Sequence, residues 1–129
     1  MVLDTSALLA LLLDEPEAEE FRELVERDPT RLASAGTVLE TALVIEARKG
    51  EAGGRELDAL LQKAEIDVVP VDSEQIAAAR RAYRRFGKGR HRAGLNFGDV
   101  FAYALTRTSG EPLLFKGGDF ANTDVPRAR

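Results

Sequence analysis

Short apolar runs alternate along the chain with longer segments in which apolar residues recur at every third or fourth position. The first run begins at the N-terminal residue and ends at Asp4, and the others occupy residues 31–34, 66–71 and 113–115. Runs of this length are typical of buried strands, and the repeat between them is typical of helices that pack on a core. Strands that alternate with helices predict a parallel α/β sandwich.

Glycine and proline separate the helical segments. Helices are predicted at residues 7–13, 16–28, 37–49, 55–64, 73–85 and 98–109. Gly53 and Gly54 are expected to precede the fourth helix, and residues 123–125 are a candidate last edge strand. The fifth helix has an arginine-rich face and, opposite to it, an apolar stripe that is expected to face the core: Ile76, Ala79, Ala82, Tyr83 and Phe86.

Composition limits the chemistry that the chain can perform. A length of 129 residues suits one domain, taken here as residues 1–129, and is too short for two ordinary ones. The chain has no cysteine and a single histidine, His91, which excludes thiolate metal sites, cysteine nucleophiles and zinc sites built from several histidines of one chain. A metal would therefore sit on oxygen ligands, which suits Mg²⁺ or Mn²⁺.

Neither a membrane span nor an export signal is predicted. The apolar run at residues 7–13 is too short to cross a bilayer, and it lacks the basic leader and the small-residue cleavage site of a signal peptide. We therefore expect a cytoplasmic protein without membrane association.

Acidic residues occur at four positions where a carboxylate is unexpected or where two elements meet: Asp4, Glu40, Asp99 and Asp119. Asp4 and Asp119 follow strands, and Asp99 opens a helix, so a parallel sheet would bring all three to its carboxyl edge. Each has a structural alternative: Asp4 as a helix cap, Asp99 in a capping box with Asn96, Asp119 in a glycine turn, and Glu40 paired with a buried arginine. Together, however, they would repel one another, and a divalent cation resolves that repulsion. The four side chains are expected to converge on one such ion.

The sequence around these acids resembles a known family. Asp4-Thr-Ser-Ala-Leu, Leu-Glu40-Thr-Ala, Asn96-Phe-Gly-Asp99 and Lys-Gly-Gly-Asp119-Phe are similar, in order and spacing, to the four acidic blocks of PIN-domain ribonucleases, and in detail to the VapC toxins of type II toxin–antitoxin pairs. The resemblance covers essentially the whole chain.

That resemblance implies a PIN-like three-layer α/β/α sandwich and a Mg²⁺- or Mn²⁺-dependent endoribonuclease. It also implies a homodimer and inhibition by a cognate VapB antitoxin. Asp4 and Asp99 would be the principal metal ligands, Glu40 and Asp119 would complete the catalytic pocket partly through water, and Ser6 and Asn96 would support it. Many members have two acids in the block that reads Gly117-Gly118-Asp119 in this chain, so the resemblance leaves a second metal ion open.

Positive charge is concentrated just before Asp99. Residues 76–98 contain no Asp or Glu but hold seven of the 18 Lys and Arg residues, although the formal net charge of the chain is −4. Their alternative role is a solvated helix face with a flexible loop. We expect six basic residues to hold RNA phosphates beside the metal: Arg84, Arg85, Lys88, Arg90, Arg92 and Lys116.

Three other classes of function compete with the nuclease. One is a receiver-type signalling domain, but its phospho-acceptor should end a central strand rather than the first. A metal-dependent phosphatase would use Asp4 as its nucleophile, but the second acid that such enzymes carry two residues later is replaced by Ser6. A non-catalytic RNA- or partner-binding module would have no need of all four acids.

Overall fold

The computed structural model describes residues 1–129 and shows four strands and six helices. The strands are β1 (Val2–Leu3), β2 (Leu32–Ser34), β3 (Asp67–Val69) and β4 (Leu113–Leu114). The helices are α1 (Thr5–Leu12), α2 (Ala18–Arg27), α3 (Ala35–Lys49), α4 (Glu51–Lys63), α5 (Ser73–Phe86) and α6 (Asp99–Ser109). Their order along the chain is the order that the hydrophobic pattern predicts, and the α/β fold is confirmed.

All four strands are parallel and lie in the order β3-β2-β1-β4. From β1 the chain moves outward through β2 to β3, and it then returns to the opposite side of β1 as β4. The direction of winding therefore reverses between β1 and β4. In open parallel sheets, ligands bind outside the carboxyl ends of the strands at such a reversal. Asp4 and Asp119 follow the two strands that flank it.

Successive strand residues point to opposite faces of the sheet, and each face has its own apolar core. Val2 and Leu113 pack with Phe86, from α5, and with Leu105, from α6. The opposite core contains a second set of strand and helix residues, which includes Leu3, Leu8, Phe21 and Leu114. The two cores give the three-layer sandwich that was predicted. None of the helices is both long and apolar enough to cross a bilayer.

The predicted start of α4 was wrong, because the helix begins at Glu51 and includes both glycines. A Cβ atom at Gly53 would lie 2.7 Å from the carbonyl oxygen of Ile45 on α3. Glycine is therefore required at that position by the close approach of two helices, rather than by a turn. The second helix also begins later than predicted, at Ala18, since Ala18 N–H donates to Glu15 O in a preceding turn.

The predicted stripe of α5 was half wrong. Ile76 is 50% exposed and Tyr83 is 37% exposed, whereas Ala78 and the polar Gln75 are buried together with Ala82 and Phe86. The small side chains of α5 face the core because they allow close packing against α6. The larger apolar side chains are left on one wall of a surface groove. The predicted edge strand at residues 123–125 is also absent; near it, a single bridge joins Leu113 to Arg127.

Candidate active site

Asp4 lies at the junction of β1 and α1 and is buried. Its Oδ2 accepts hydrogen bonds from Ser6 N–H at 3.1 Å and from Ser6 Oγ at 2.7 Å. Ser6 Oγ in turn accepts from Lys116 N–H at 2.9 Å. Asp4 is therefore both the N-cap of α1 and a carboxylate at the sheet edge. Ser6 ties it to the segment that leaves β4.

Asp99 opens α6 and is also buried. Its Oδ2 accepts from Asn96 N–H, and Asn96 Oδ1 accepts from Asp99 N–H, both at 3.0 Å. These reciprocal bonds form the capping-box arrangement. They hold the Asp99 carboxylate at the start of the helix, and Asn96 therefore supports it through the backbone.

Glu40 reaches from α3 toward both of these aspartates. Its Oε1 accepts a hydrogen bond from Thr5 Oγ1 at 2.5 Å. A Cβ atom at residue 98 would lie only 1.9 Å from Glu40 Oε2, so the carboxylate packs directly on Gly98. No arginine pairs with Glu40, which removes the structural alternative for it. Thr5 and Gly98 were not predicted as site residues, although both lie inside the acidic blocks.

The four carboxylates act on one another electrostatically. Burial, together with the negative charges of Asp119, Asp4 and Glu40, raises the pKa of Asp99 to about 7, although the hydrogen bond from Asn96 N–H lowers it. Burial likewise raises the pKa of Asp4 to about 6, with a contribution from Glu40, while the hydrogen bonds from Ser6 lower it. Asp119 is exposed, in the turn after β4. The structure thus brings the four predicted acids into one neighbourhood.

None of these four carboxylates forms an ion pair with a Lys or Arg side chain. Two buried acids without a positive partner are strongly destabilising unless they are protonated or bind a cation. Oxygen-only donors are those that a hard divalent ion prefers. The chemistry of the donor set therefore fits Mg²⁺ or Mn²⁺.

The expected convergence of all four acids on one ion was wrong as stated. No three Asp, Glu or His side chains lie close enough to ligate a single ion directly. Ser6 and Asn96 hold Asp4 and Asp99 against their own helix starts, and Thr5 holds Glu40. Direct ligation by Asp4 and Asp99 alone, with water in the remaining positions as is usual for Mg²⁺, stays a prediction.

The six predicted RNA-binding residues fall into two groups. Lys116 Nζ forms ion pairs with Glu15 at 2.5 Å and Glu17 at 3.1 Å, and those hydrogen bonds raise its pKa. Arg85 pairs with Asp124 at 3.2 Å and lies over the Phe86 ring. Both are thus engaged within the protein, contrary to expectation. Four are exposed and form no ion pair: Arg84, Lys88, Arg90 and Arg92.

His91 has a structural role in the basic loop. Its Nδ1 accepts from Ala93 N–H at 3.0 Å, and its ring packs edge-on against Phe86 at 5.2 Å.

The chain is similar to known proteins over nearly its whole length. The family model for the PIN domain matches residues 1–126. A VapC ribonuclease of Mycobacterium bovis, Mb0640, is 62% identical over 125 residues, which are 97% of this chain and 95% of that protein. A ribonuclease VapC of Mycolicibacterium smegmatis is 61% identical over 125 residues, 97% of each chain.

Among solved structures, Mycobacterium tuberculosis VapC20, described as a sarcin-ricin loop cleaving toxin, has a TM-score of 0.76 at 20% identity. The match covers 96% of this chain and 95% of that chain, and it shows the same fold. The chain therefore belongs to the PIN-domain family, in its VapC branch.

Proposed function

We propose that the chain is a Mg²⁺- or Mn²⁺-dependent endoribonuclease toxin that is inhibited by a VapB-type antitoxin. One observation carries the proposal: Asp4 and Asp99 are buried without positive partners at the reversal point of a parallel sheet. The names of the relatives, which describe ribonucleases, support the same activity.

In this proposal, separate side chains bind the metal ion, orient its ligands and position water. Asp4 and Asp99 hold the ion, and Ser6 and Asn96 fix their orientation. A bound divalent ion supplies polarisation of the phosphoryl oxygen and lowers the pKa of an attacking water. Glu40, oriented by Thr5, and Asp119 lie beside Asp99 and orient water molecules near the scissile phosphate.

Substrate binding is assigned to the unpaired basic residues. Arg84, Lys88, Arg90 and Arg92 neutralise RNA phosphates that the acidic pocket would otherwise repel. All four lie on α5 or in the loop that leads to Asp99. The residues that bind the phosphates and the metal ligand Asp99 thus belong to one continuous stretch of the chain.

The proposed partners are a second copy of the chain and the antitoxin. Leu39 and Leu43 project from α3 and are 61% and 64% exposed. An apolar helix face of this kind is typical of a protein-contact surface. Sedimentation equilibrium of the purified chain, with and without Leu43→Glu, tests the dimer.

The decisive experiment is RNA cleavage by paired carboxamide variants. Asp4→Asn and Asp99→Asn should abolish metal-dependent cleavage of total RNA while the circular dichroism spectrum stays unchanged. Asp58→Asn, at an exposed acid of α4, is the matched control and should cleave normally. EDTA should stop the wild-type reaction, and Mg²⁺ or Mn²⁺ should restore it. Normal cleavage by both carboxamide variants would overturn the assignment of the site.

The alternatives give different results in the same series. A non-catalytic module would bind RNA and leave it intact with every metal. A phosphatase would release phosphate from small phosphate esters and trap it on Asp4. Expression of the wild-type chain should arrest growth, and co-expression of a small neighbouring open reading frame should relieve the arrest if that frame encodes the antitoxin.

A further inference from the structure

A groove of about 530 Å³ runs between α5 and α6, and Phe97, from the turn that precedes Asp99, forms part of its lining. Its walls are mostly apolar, and no Asp or Glu lines it. Arginine supplies its only charged side chains. The lining residues that matter for its chemistry are Ile76, Arg80, Tyr83, Arg84, Phe97 and Phe101.

Phe97 is the most exposed of the large apolar side chains, at 77%. Its neighbours explain why it stays exposed. The reciprocal hydrogen bonds between Asn96 and Asp99 fix the backbone on both sides of Phe97, and Gly98 is held against Glu40. The ring therefore projects from a rigid turn, two residues from a candidate metal ligand.

The orientation of that ring is also fixed. Phe97 contacts Phe101 edge-on, with ring centroids 5.1 Å apart and planes at 82°. In such a contact the rim of one ring packs on one face of the other, so at least one face of Phe97 is left uncovered by Phe101. A free aromatic face is a surface on which a nucleobase stacks.

Stacking solves an electrostatic problem for a nuclease with an acidic pocket. The carboxylates repel the phosphates on either side of the scissile bond, whereas a base binds an aromatic face without charge. Arg80 and Arg84 lie along the same groove and form no ion pair within the protein. Such a combination of an aromatic face with positive charge is the usual basis of binding to single-stranded RNA.

We propose that Phe97 is the stacking surface for a nucleobase next to the scissile phosphate, with Tyr83 and Arg84 on the opposite wall of the groove. This rests on the proposed ribonuclease activity and deepens it, because it makes single-stranded RNA the substrate form. Phe97 is thus a substrate-binding residue, a role that the four acids do not require of it.

A binding experiment without cleavage tests the stacking directly. In an Asp4→Asn background, a pool of single-stranded RNA oligonucleotides carrying 2-aminopurine is titrated with protein in Mg²⁺. Stacking on Phe97 should quench the fluorescence. Phe97→Leu should remove the quenching and weaken affinity about tenfold, while Phe97→Trp should retain both. Val68→Ala, at an exposed apolar residue of β3, should behave like its parent.

Steady-state cleavage by the otherwise unchanged chain gives the second measurement. Phe97→Leu should raise the KM for the same RNA pool about tenfold and change kcat little, because the base stacks equally well before and during bond breaking. Failure of the unsubstituted chain to cleave RNA would overturn the proposed function, whereas cleavage with an unchanged KM in Phe97→Leu would overturn the stacking surface alone.

Two results together would assign the groove to a protein interface and overturn the proposal. Phe97→Leu would bind RNA like its parent, and sedimentation equilibrium would show that the same substitution changes the oligomeric mass.

Discussion

At the scale of single residues, Gly98 matters because of the side chain that it admits. The Glu40 carboxylate occupies the space of a Cβ atom at that position and accepts a hydrogen bond from Thr5. Any other residue at position 98 forces the carboxylate aside. The orientation of Glu40 therefore depends on the hydroxyl of Thr5 and on the absence of a Cβ atom at Gly98.

Gly98→Ala should lower RNA cleavage about 10–100-fold, which is the usual effect of displacing a group that supports a metal site. Stability should fall only slightly, because the displaced atoms are the end of a flexible side chain. The check is a double-mutant cycle in kcat/KM: Gly98→Ala combined with Glu40→Ala should be no worse than Glu40→Ala alone. Gly118→Ala, whose added methyl meets nothing within 4 Å, is the steric control. Additive losses in the cycle would contradict the contact.

Asp99→Asn should stabilise the metal-free protein at pH 8. The native pKa of about 7 lies above the ordinary value of 3.8, so the native state binds this proton more tightly than the unfolded chain. Stability from the protonated group is complete below about pH 4 and declines as the pH rises to 7. The variant should thus gain about 1–3 kcal/mol at pH 8 and almost nothing at pH 4.

Urea denaturation in EDTA at the two pH values measures this difference. Saturating Mg²⁺ should reverse the order at pH 8, because the ion binds the native wild-type site and stabilises it. A variant less stable than wild type at pH 8 without metal would show that the charge of Asp99 is compensated within the protein.

The sequence pattern predicts Asp4 at a strand end and Asp99 at a helix start, and the structure has both there, while their role as metal ligands stays a prediction. The pattern missed Thr5 and Gly98. Their partner, Glu40, belongs to α3 and lies more than thirty residues along the chain from both Thr5 and Gly98. Such contacts depend on how α3 crosses the other helices, which the local pattern does not specify.

At the scale of elements, α3 and α4 pack unusually closely around Gly53. The next residue, Gly54, faces only the flexible end of the Glu46 side chain, at 3.1 Å. The two glycines are adjacent in one helix and differ in what surrounds them. They make a matched pair.

Gly53→Ala should destabilise the protein by about 1–3 kcal/mol, because its methyl group would press on the backbone of Ile45. Gly54→Ala should be neutral or stabilising by up to about 1 kcal/mol, since alanine is the better helix former and the Glu46 side chain can move. Thermal denaturation of both variants measures the contrast. Equal effects would mean that helix propensity, rather than packing, decides the cost.

The elements themselves were largely predictable, because hydrophobic period and glycine or proline boundaries determine them. Their orientation was less so. On α5 the sequence pattern favours the larger side chains Ile76 and Tyr83 as core residues, yet close packing on α6 selects Ala78 in their place. When two helices approach closely, small residues lie at the contact, and hydrophobicity alone then misassigns the buried face.

At the scale of the whole molecule, charge is separated between two neighbouring regions. The acidic pocket lies at the reversal point of the sheet, and the acid-free stretch of residues 76–98 leads directly to Asp99. The net charge of −4 conceals this separation. The sequence predicted the basic stretch, but it did not show that Arg85 and Lys116 would be engaged by acids elsewhere in the chain.

Charge reversal of Arg90 and Arg92 should weaken RNA binding and flatten its salt dependence. Each phosphate contact with single-stranded RNA releases a counterion, so losing two should reduce the slope of log K against log salt by about 1.4. Fluorescence anisotropy in an Asp4→Asn background, measured from about 50 to about 300 mM salt, gives the slope. Arg48→Glu with Arg55→Glu changes the net charge equally at exposed positions on α3 and α4 and should leave the slope near that of the parent. If both pairs flatten it to the same degree, RNA responds to overall charge rather than to contacts in the basic loop.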